Sequence, residues 1–217
     1  ESRCENSLIV REEKDGWCLG DWCTPERISI PEELVNTTMF ISQLRRLVFC
    51  AKALGKPYDR YEKLISEHSA SVTEKYFDKK TGDFFNNVQG ANAFAFDCGL
   101  GNAKTLENII KKYSEKTEFD TGIFGTEIVL NVLYKTGNSD LATKLLSNKG
   151  KVSFDFMRRS GATTLWENWG GEESHSHPMF GASTEFLFEE LLGIKQTASS
   201  VRYDQIIISP VFAECLD

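Results

Sequence analysis

Apolar residues at helical spacing, cut at short intervals by proline and glycine, constrain this chain more than any other feature. Pro31 precedes Glu32 and Glu33, and Leu34, Thr38, Ile41, Leu44, Val48 and Ala51 follow at the helical period. Proline is tolerated in a first turn, and acids there meet the positive end of the helix dipole. Gly55 and Pro57 end this helix. A second stripe, Tyr61, Leu64, Ile65, His68, Val72 and Tyr76, predicts a helix over about 58–77. His68 on that face reads as a packed histidine, not a ligand. Thr81-Gly82-Asp83 then turns the chain. A shorter helix is expected over about 90–99, where Phe94 and Phe96 stand among small residues. Asn102 can cap the next, whose stripe is Leu106, Ile109, Ile110 and Tyr113. Further helices are expected over 122–134 and after Gly137-Asn138-Ser139, with Leu141, Ala142, Leu145 and Leu146. Phe154 to Met157 predicts a helical turn, and a last helix runs from Pro178 to about Leu192, stopped by Gly193. Residues 1–30 hold too many turn formers for a helix and read as irregular.

Helices joined this closely pack as antiparallel pairs in series, which gives either a solenoid or a closed toroid. No fixed-period repeat is visible, which counts against the solenoid. Tyr203 to Ser209 changes the pattern: it is rich in isoleucine, is bounded by Pro210, and reads as a strand. No partner strand is legible for it, and an unpaired strand is a liability. It therefore reads as the start of a β domain, with a boundary near residue 196. The fold class is all-α with one C-terminal strand.

At 217 residues the chain can form one large domain. The net charge of -7, with no basic cluster to offset it, argues against nucleic acid as a partner. No apolar run is long enough to span a bilayer, and Glu1 to Asn6 carry no signal-peptide core. Six cysteines stand at 4, 18, 23, 50, 98 and 215. They show no zinc spacing, so no metal or other cofactor is expected. Cys50 and Cys98 read as small buried hydrophobes, and a Cys18–Cys23 disulfide stays open. Cysteines without a clear pairing fit a reducing compartment.

The chemistry-bearing stretch is Gly161-Ala162-Thr163-Thr164-Leu165-Trp166-Glu167-Asn168-Trp169-Gly170-Gly171, followed by Ser174-His175-Ser176-His177-Pro178. Two indole rings can stack on the C–H faces of a sugar while a carboxylate between them handles a hydroxyl or a water. Burial would raise the pKa of that carboxylate and suit it to acid–base work. The same residue types serve equally well as a core-capping loop, with Trp166 and Trp169 filling a gap and Glu167 exposed. Asp15-Gly16-Trp17-Cys18-Leu19-Gly20-Asp21-Trp22-Cys23-Thr24-Pro25 repeats the composition near the N-terminus.

Gly161 to Trp169, with Ser176-His177 and Phe180-Gly181, resembles the signature late in the catalytic domain of the bacterial α-L-rhamnosidases of glycoside hydrolase family 78. Gly20-Asp21-Trp22 resembles that family's mid-domain Gly-Asp-Trp. Thr121 to Thr126, followed by Gly137 and the Asp140 to Leu146 segment, resembles the stretch between. The resemblance implies part of an (α/α)6 toroid over residues 1–196, and over 197–217 the strand that opens a C-terminal β-sandwich. It implies inverting hydrolysis of terminal α-L-rhamnose from a glycoside or oligosaccharide. Inversion needs two carboxyl groups far enough apart to admit a water. Glu167 matches the general base and His177 a histidine that contacts the sugar. Asp21 and Trp22 match residues lining the subsite, Trp166 stands in the signature beside the base, and Trp169 matches a wall.

The resemblance also implies a general acid upstream of Gly-Asp-Trp, in an Asp-x-x-x-Glu type motif that the chain is expected to lack. Glu12 and Glu13 are not assigned that role. The chain alone is then expected to be inactive or very weak, and exposed helix faces make self-association an expectation. The family often acts outside the cytoplasm, so periplasmic, extracellular and cytoplasmic locations all stay open. Two other readings remain: a non-catalytic carbohydrate-binding remnant, and another (α/α)6 enzyme such as a glucosidase or unsaturated uronyl hydrolase. A purely structural helical protein would have no use for two loops of tryptophan, acid and glycine.

Overall fold

A computed structural model of the chain describes residues 3–11, 16, 18–197, 199–200 and 202–213. Glu12, Glu13, Trp17 and Cys215 lie outside the described residues. The chain divides into two compact units, one of residues 1–22 and 27–109 and one of 23–26 and 110–217.

The first unit is built on a helical hairpin. Helix α1 runs Glu32–Ala53 and α2 runs Asp59–Tyr76. All six residues of the expected α1 stripe are buried. The two helices are antiparallel, and ion pairs fasten both ends: Lys52 Nζ to Glu62 Oε1 at 3.2 Å near the turn, and Lys75 to Glu33 at the open end. Exposed pairs of this kind contribute little. The Glu33 pair is stronger because Tyr76 also donates its hydroxyl to that carboxylate. His68 is buried, holds the Ser7 carbonyl through Nδ1 and meets Phe40 edge-on, so it is a packed histidine.

Burial pushes the Glu33 carboxyl up, but the hydrogen bonds from Lys75 and Tyr76 outweigh it and leave the pKa below 4.5. A carboxylate with a lowered folded pKa stabilises fully above its unfolded value and loses that contribution as pH falls through the folded one. The melting-temperature gap between wild type and Glu33→Gln should therefore be widest near neutrality and close below pH 4.5. A gap that persists in acid would mean that the carboxylate's charge is not what matters.

Residues 3–11 correct the expectation of an irregular N-terminal region. They contain a small hairpin, β1 (Cys4–Glu5) paired antiparallel with β2 (Leu8–Ile9). A second hairpin, β3 (Phe77–Asp78) with β4 (Asp83–Phe84), surrounds the expected turn at Gly82. Between β4 and α3 (Ala91–Asp97), the backbone of Phe85, Asn86, Asn87 and Gln89 lies at positive φ. Gln89 anchors this stretch: its Oε1 accepts from Ser29 and Ile30 N–H, and its Nε2 donates to Arg27 O. Helix α4 (Ala103–Lys116) starts where Asn102 Oδ1 accepts from the N–H groups of Lys104 and Thr105, as expected of a cap.

The cysteine reading is half corrected. Cys98, at the end of α3, is buried, and burial pushes its thiol up to about 12. Cys50 is exposed. It stands two residues beyond Val48 on α1, about 200° around the helix from the buried stripe. Cys18 and Cys23 are thiols and do not form the disulfide left open above. Thiolates are the reactive species. Iodoacetamide at pH 8 should label Cys50 rapidly and leave Cys98 unlabelled until the chain is denatured, as peptide mass spectrometry would read. Rapid labelling of Cys98 in the folded chain would contradict its burial.

The second unit holds the end of α4 and a second hairpin, α5 (Ile123–Lys135) with α6 (Ser139–Leu146). Tyr134 Oη and Thr143 Oγ1 bond across it at 3.1 Å. Helix α7 (Phe154–Arg159) follows. The expected last helix is not uniform: a 3-10 turn (Met179–Ala182), one α-helical turn, α8 (Ser183–Phe186), and a π turn (Leu187–Leu191) follow one another. The final turn widens because Leu192 N–H bonds back five residues to Leu187 O, while Leu191 O accepts from Val211 N–H.

The C-terminal strand is not alone: β6 (Ile206–Ile208) pairs antiparallel with β5 (Ile194–Gln196), which follows Gly193 directly. Among the described residues no helix is long and apolar enough to cross a membrane.

Candidate active site

The signature stretch sits in the second unit, immediately after α7. Ser153 caps that helix: its Oγ accepts from Phe156 N–H at 2.9 Å. Arg158 and Arg159 in the last turn both hold Asp155, and their hydrogen bonds keep its carboxyl below the usual range. Gly161, at φ 91°, ends the helix: its N–H bonds Arg158 O, and Ala162 N–H bonds Met157 O. Only a left-handed residue allows that closure, and glycine adopts it without strain.

The chain then doubles back on itself between 165 and 177. His177 N–H bonds Leu165 O at 2.9 Å, and Glu167 N–H bonds Ser174 O at 2.8 Å. Thr164 Oγ1 donates to His175 O. The tip is closed by Asn168, whose Oδ1 accepts from Gly171 N–H at 2.7 Å and Glu172 N–H at 3.2 Å. Gly171 has φ 83°, and a Cβ there would lie 2.6 Å from Cζ3 of Trp166. Any larger residue would strain the turn and collide with the indole. Glu167 is half-buried on this hairpin, and Ser174 N–H lies 3.4 Å from its Oε2.

The tryptophans point elsewhere. Trp169 is 3% exposed, stacked on Phe119 at 5.8 Å and packed on Phe180 at 4.3 Å, with Phe154 edge-on. Its Nε1 donates to Thr121 O at 2.9 Å. Trp166 is 5% exposed and stacks on His175, with ring centroids 4.6 Å apart and planes 17° apart. Trp169 therefore holds the hairpin to the unit, as the core-capping reading of this loop has it, and Trp166 is buried within the hairpin's own fold. Glu167, between them, is not drawn into that core. Behind the hairpin lies a cavity of about 360 Å³, lined by Phe154, Leu165, Phe180, Leu187 and Leu191 among others. Its walls are almost wholly apolar and offer little to a polyol.

Glu167, Trp166, Trp169 and His177 thus stand on one hairpin of one unit. His177 is half-buried, and its Nδ1 is buried without a hydrogen-bond partner in the protein. Asp21 and Trp22 belong to the first unit. Asp21 is fully buried and Trp22 half-buried. Sequence reasoning assigned no role to Asn168 or His175. An asparagine three residues ahead of a glycine is the signal of the Asn168 turn. Nothing in one dimension marked the His175 stack.

Serial helical hairpins with a carboxylate on an aromatic loop are the build of six-hairpin glycosidase domains. The chain belongs to the bacterial α-L-rhamnosidases among them: the model of the bacterial α-L-rhamnosidase six-hairpin glycosidase domain matches residues 3–191. An α-L-rhamnosidase of Formosa agariphila is 31% identical over 238 residues, covering 96% of this chain and 24% of its own length. The structure of an α-L-rhamnosidase from Dictyoglumus thermophilum is 28% identical, with a TM-score of 0.75 over 88% of this chain and 23% of that one. The Streptomyces avermitilis α-L-rhamnosidase complexed with L-rhamnose shares the fold, with a TM-score of 0.83 over 98% of this chain at 22% identity. The chain spans about a quarter of the length of the curated relatives it matches.

Proposed function

We propose that this chain carries the general-base side of an inverting α-L-rhamnosidase site. The observation that carries the reading is Glu167: a half-buried carboxylate on a hairpin clamped at both strands, in a chain of the rhamnosidase family. Glu167 takes a proton from a water that attacks the anomeric carbon on the face opposite the departing oxygen. A base held this rigidly loses little orientation on the way to the transition state. His177, half-buried on the same hairpin, contacts a sugar hydroxyl. Trp166 and Trp169 act as walls that fix the hairpin. The substrate is a terminal α-L-rhamnoside.

The test is nitrophenolate release from p-nitrophenyl α-L-rhamnoside beside the α-D-glucoside. This leaving group departs with little protonation, so the assay reads the base side. Release from the rhamnoside alone is expected, and equal release from both would contradict the substrate assignment. The proton donor is sought separately with a natural rhamnoside, whose leaving group needs one. Glu12 and Glu13 both stand upstream of Gly20-Asp21-Trp22. Loss of activity in Glu12→Gln or Glu13→Gln would place the donor in this chain, against the expectation that the chain lacks it.

A further inference from the structure

We infer that His175 is a positioning residue: it holds shut the hairpin that carries Glu167. The inference rests on the reading of Glu167 as the base. Trp166 is gripped on two sides. The His175 ring lies on it at 4.6 Å and 17°, and Gly171 presses on its benzo edge. His175 also reaches across the turn, with Nε2 2.8 Å from Gly171 O. A carbonyl can only accept, so Nε2 carries the hydrogen. One side chain therefore ties the returning strand both to the ring beside Glu167 and to the tip of the turn.

Its exposure makes this more than packing. His175 is exposed, whereas Trp166, which it covers, is buried. Truncating it opens no cavity in the core, so the cost falls on the hairpin and not on the fold. The backbone here is tied as well: Ser174 O takes the Glu167 N–H, and His175 O takes the Thr164 hydroxyl. Loosening His175 loosens the two strands that bracket the carboxylate. The backbone hydrogen bond of Glu167 reports this directly.

The experiment compares wild type, His175→Ala and His175→Phe. Phenylalanine keeps the stack and loses the bond to Gly171. Amide hydrogen exchange of Glu167 should speed up about tenfold in His175→Ala, the worth of one stacked pair and one hydrogen bond in a local opening. It should be partly rescued in His175→Phe, with the thermal midpoint nearly unmoved in both. With p-nitrophenyl α-L-rhamnoside, kcat should fall about tenfold in His175→Ala with KM little changed, because a displaced base weakens the transition state more than sugar binding. Unchanged protection of the Glu167 amide in His175→Ala would overturn the inference. Full activity of Glu167→Gln would instead overturn the base assignment, and the exchange result would still decide whether His175 clamps the hairpin.

Discussion

Replacing Glu167 with glutamine should lower hydrolysis of p-nitrophenyl α-L-rhamnoside by about 10²–10⁴-fold, the usual worth of a general base. The substitution keeps the size of the side chain and removes its charge and its ability to take a proton. The hairpin should survive it. The bonds that close the loop run through Glu167 N–H, Leu165 O, Asn168 Oδ1 and Gly171 N–H, and the one that reaches the side chain, from Ser174 N–H to Oε2 at 3.4 Å, can be accepted by a glutamine oxygen as well. The melting temperature and the affinity for L-rhamnose should therefore stay close to wild type. A loss in kcat with KM preserved is the signature of an interaction made only in the transition state. If affinity for the sugar fell as far as turnover, Glu167 would be a binding residue, and the reading as a carbohydrate-binding module would gain.

Trp169→Ala should have the largest effect on stability, about 3–5 kcal/mol. The indole is 3% exposed and sits in a cluster of Phe119, Phe154 and Phe180 that joins four separate segments of the second unit. Removing it leaves a cavity on which those rings cannot all collapse. It also leaves Thr121 O without the indole N–H, a further cost for a buried carbonyl. Trp169→Phe separates the two contributions, because it refills part of the cavity and cannot donate. It should lose about 1–3 kcal/mol, less than alanine. Urea unfolding followed by circular dichroism reads both. Turnover should fall in Trp169→Ala even where the unit stays folded, since Glu167 is two residues away on the same hairpin. A Trp169→Ala chain as stable as wild type would mean that the cluster is not the anchor of the hairpin.

Helices were legible, down to the turn that opens at Phe154, and strand pairings two or three residues long were not. The α1 stripe, its Pro31-Glu32-Glu33 start and its Gly55 stop all stand where the spacing puts them, because a 22-residue helix repeats its signal six times. Cys50 was misread on the same helix by judging the apolar neighbourhood and not the angle. The β1–β2 hairpin has two residues per strand, too few for any alternation to register. β5 is three residues long and hides behind the stop signal of Gly193, so β6 looked partnerless. The order of residues around Glu167 was legible because chemistry-bearing residue types crowd there. The inward turn of Trp166 and Trp169 was not, since sequence cannot say which face of an indole is already covered. Phe119 and Thr121, which cover Trp169, lie about 50 residues away along the chain.

The central claim is that Glu167 activates a water and not that it attacks the sugar itself. Proton NMR of the first sugar released from p-nitrophenyl α-L-rhamnoside tests it most directly, read before mutarotation mixes the anomers. The account predicts β-L-rhamnose first, with the α anomer growing in later. The α anomer appearing first would mean two displacements and a covalent intermediate, and would contradict the role given to Glu167.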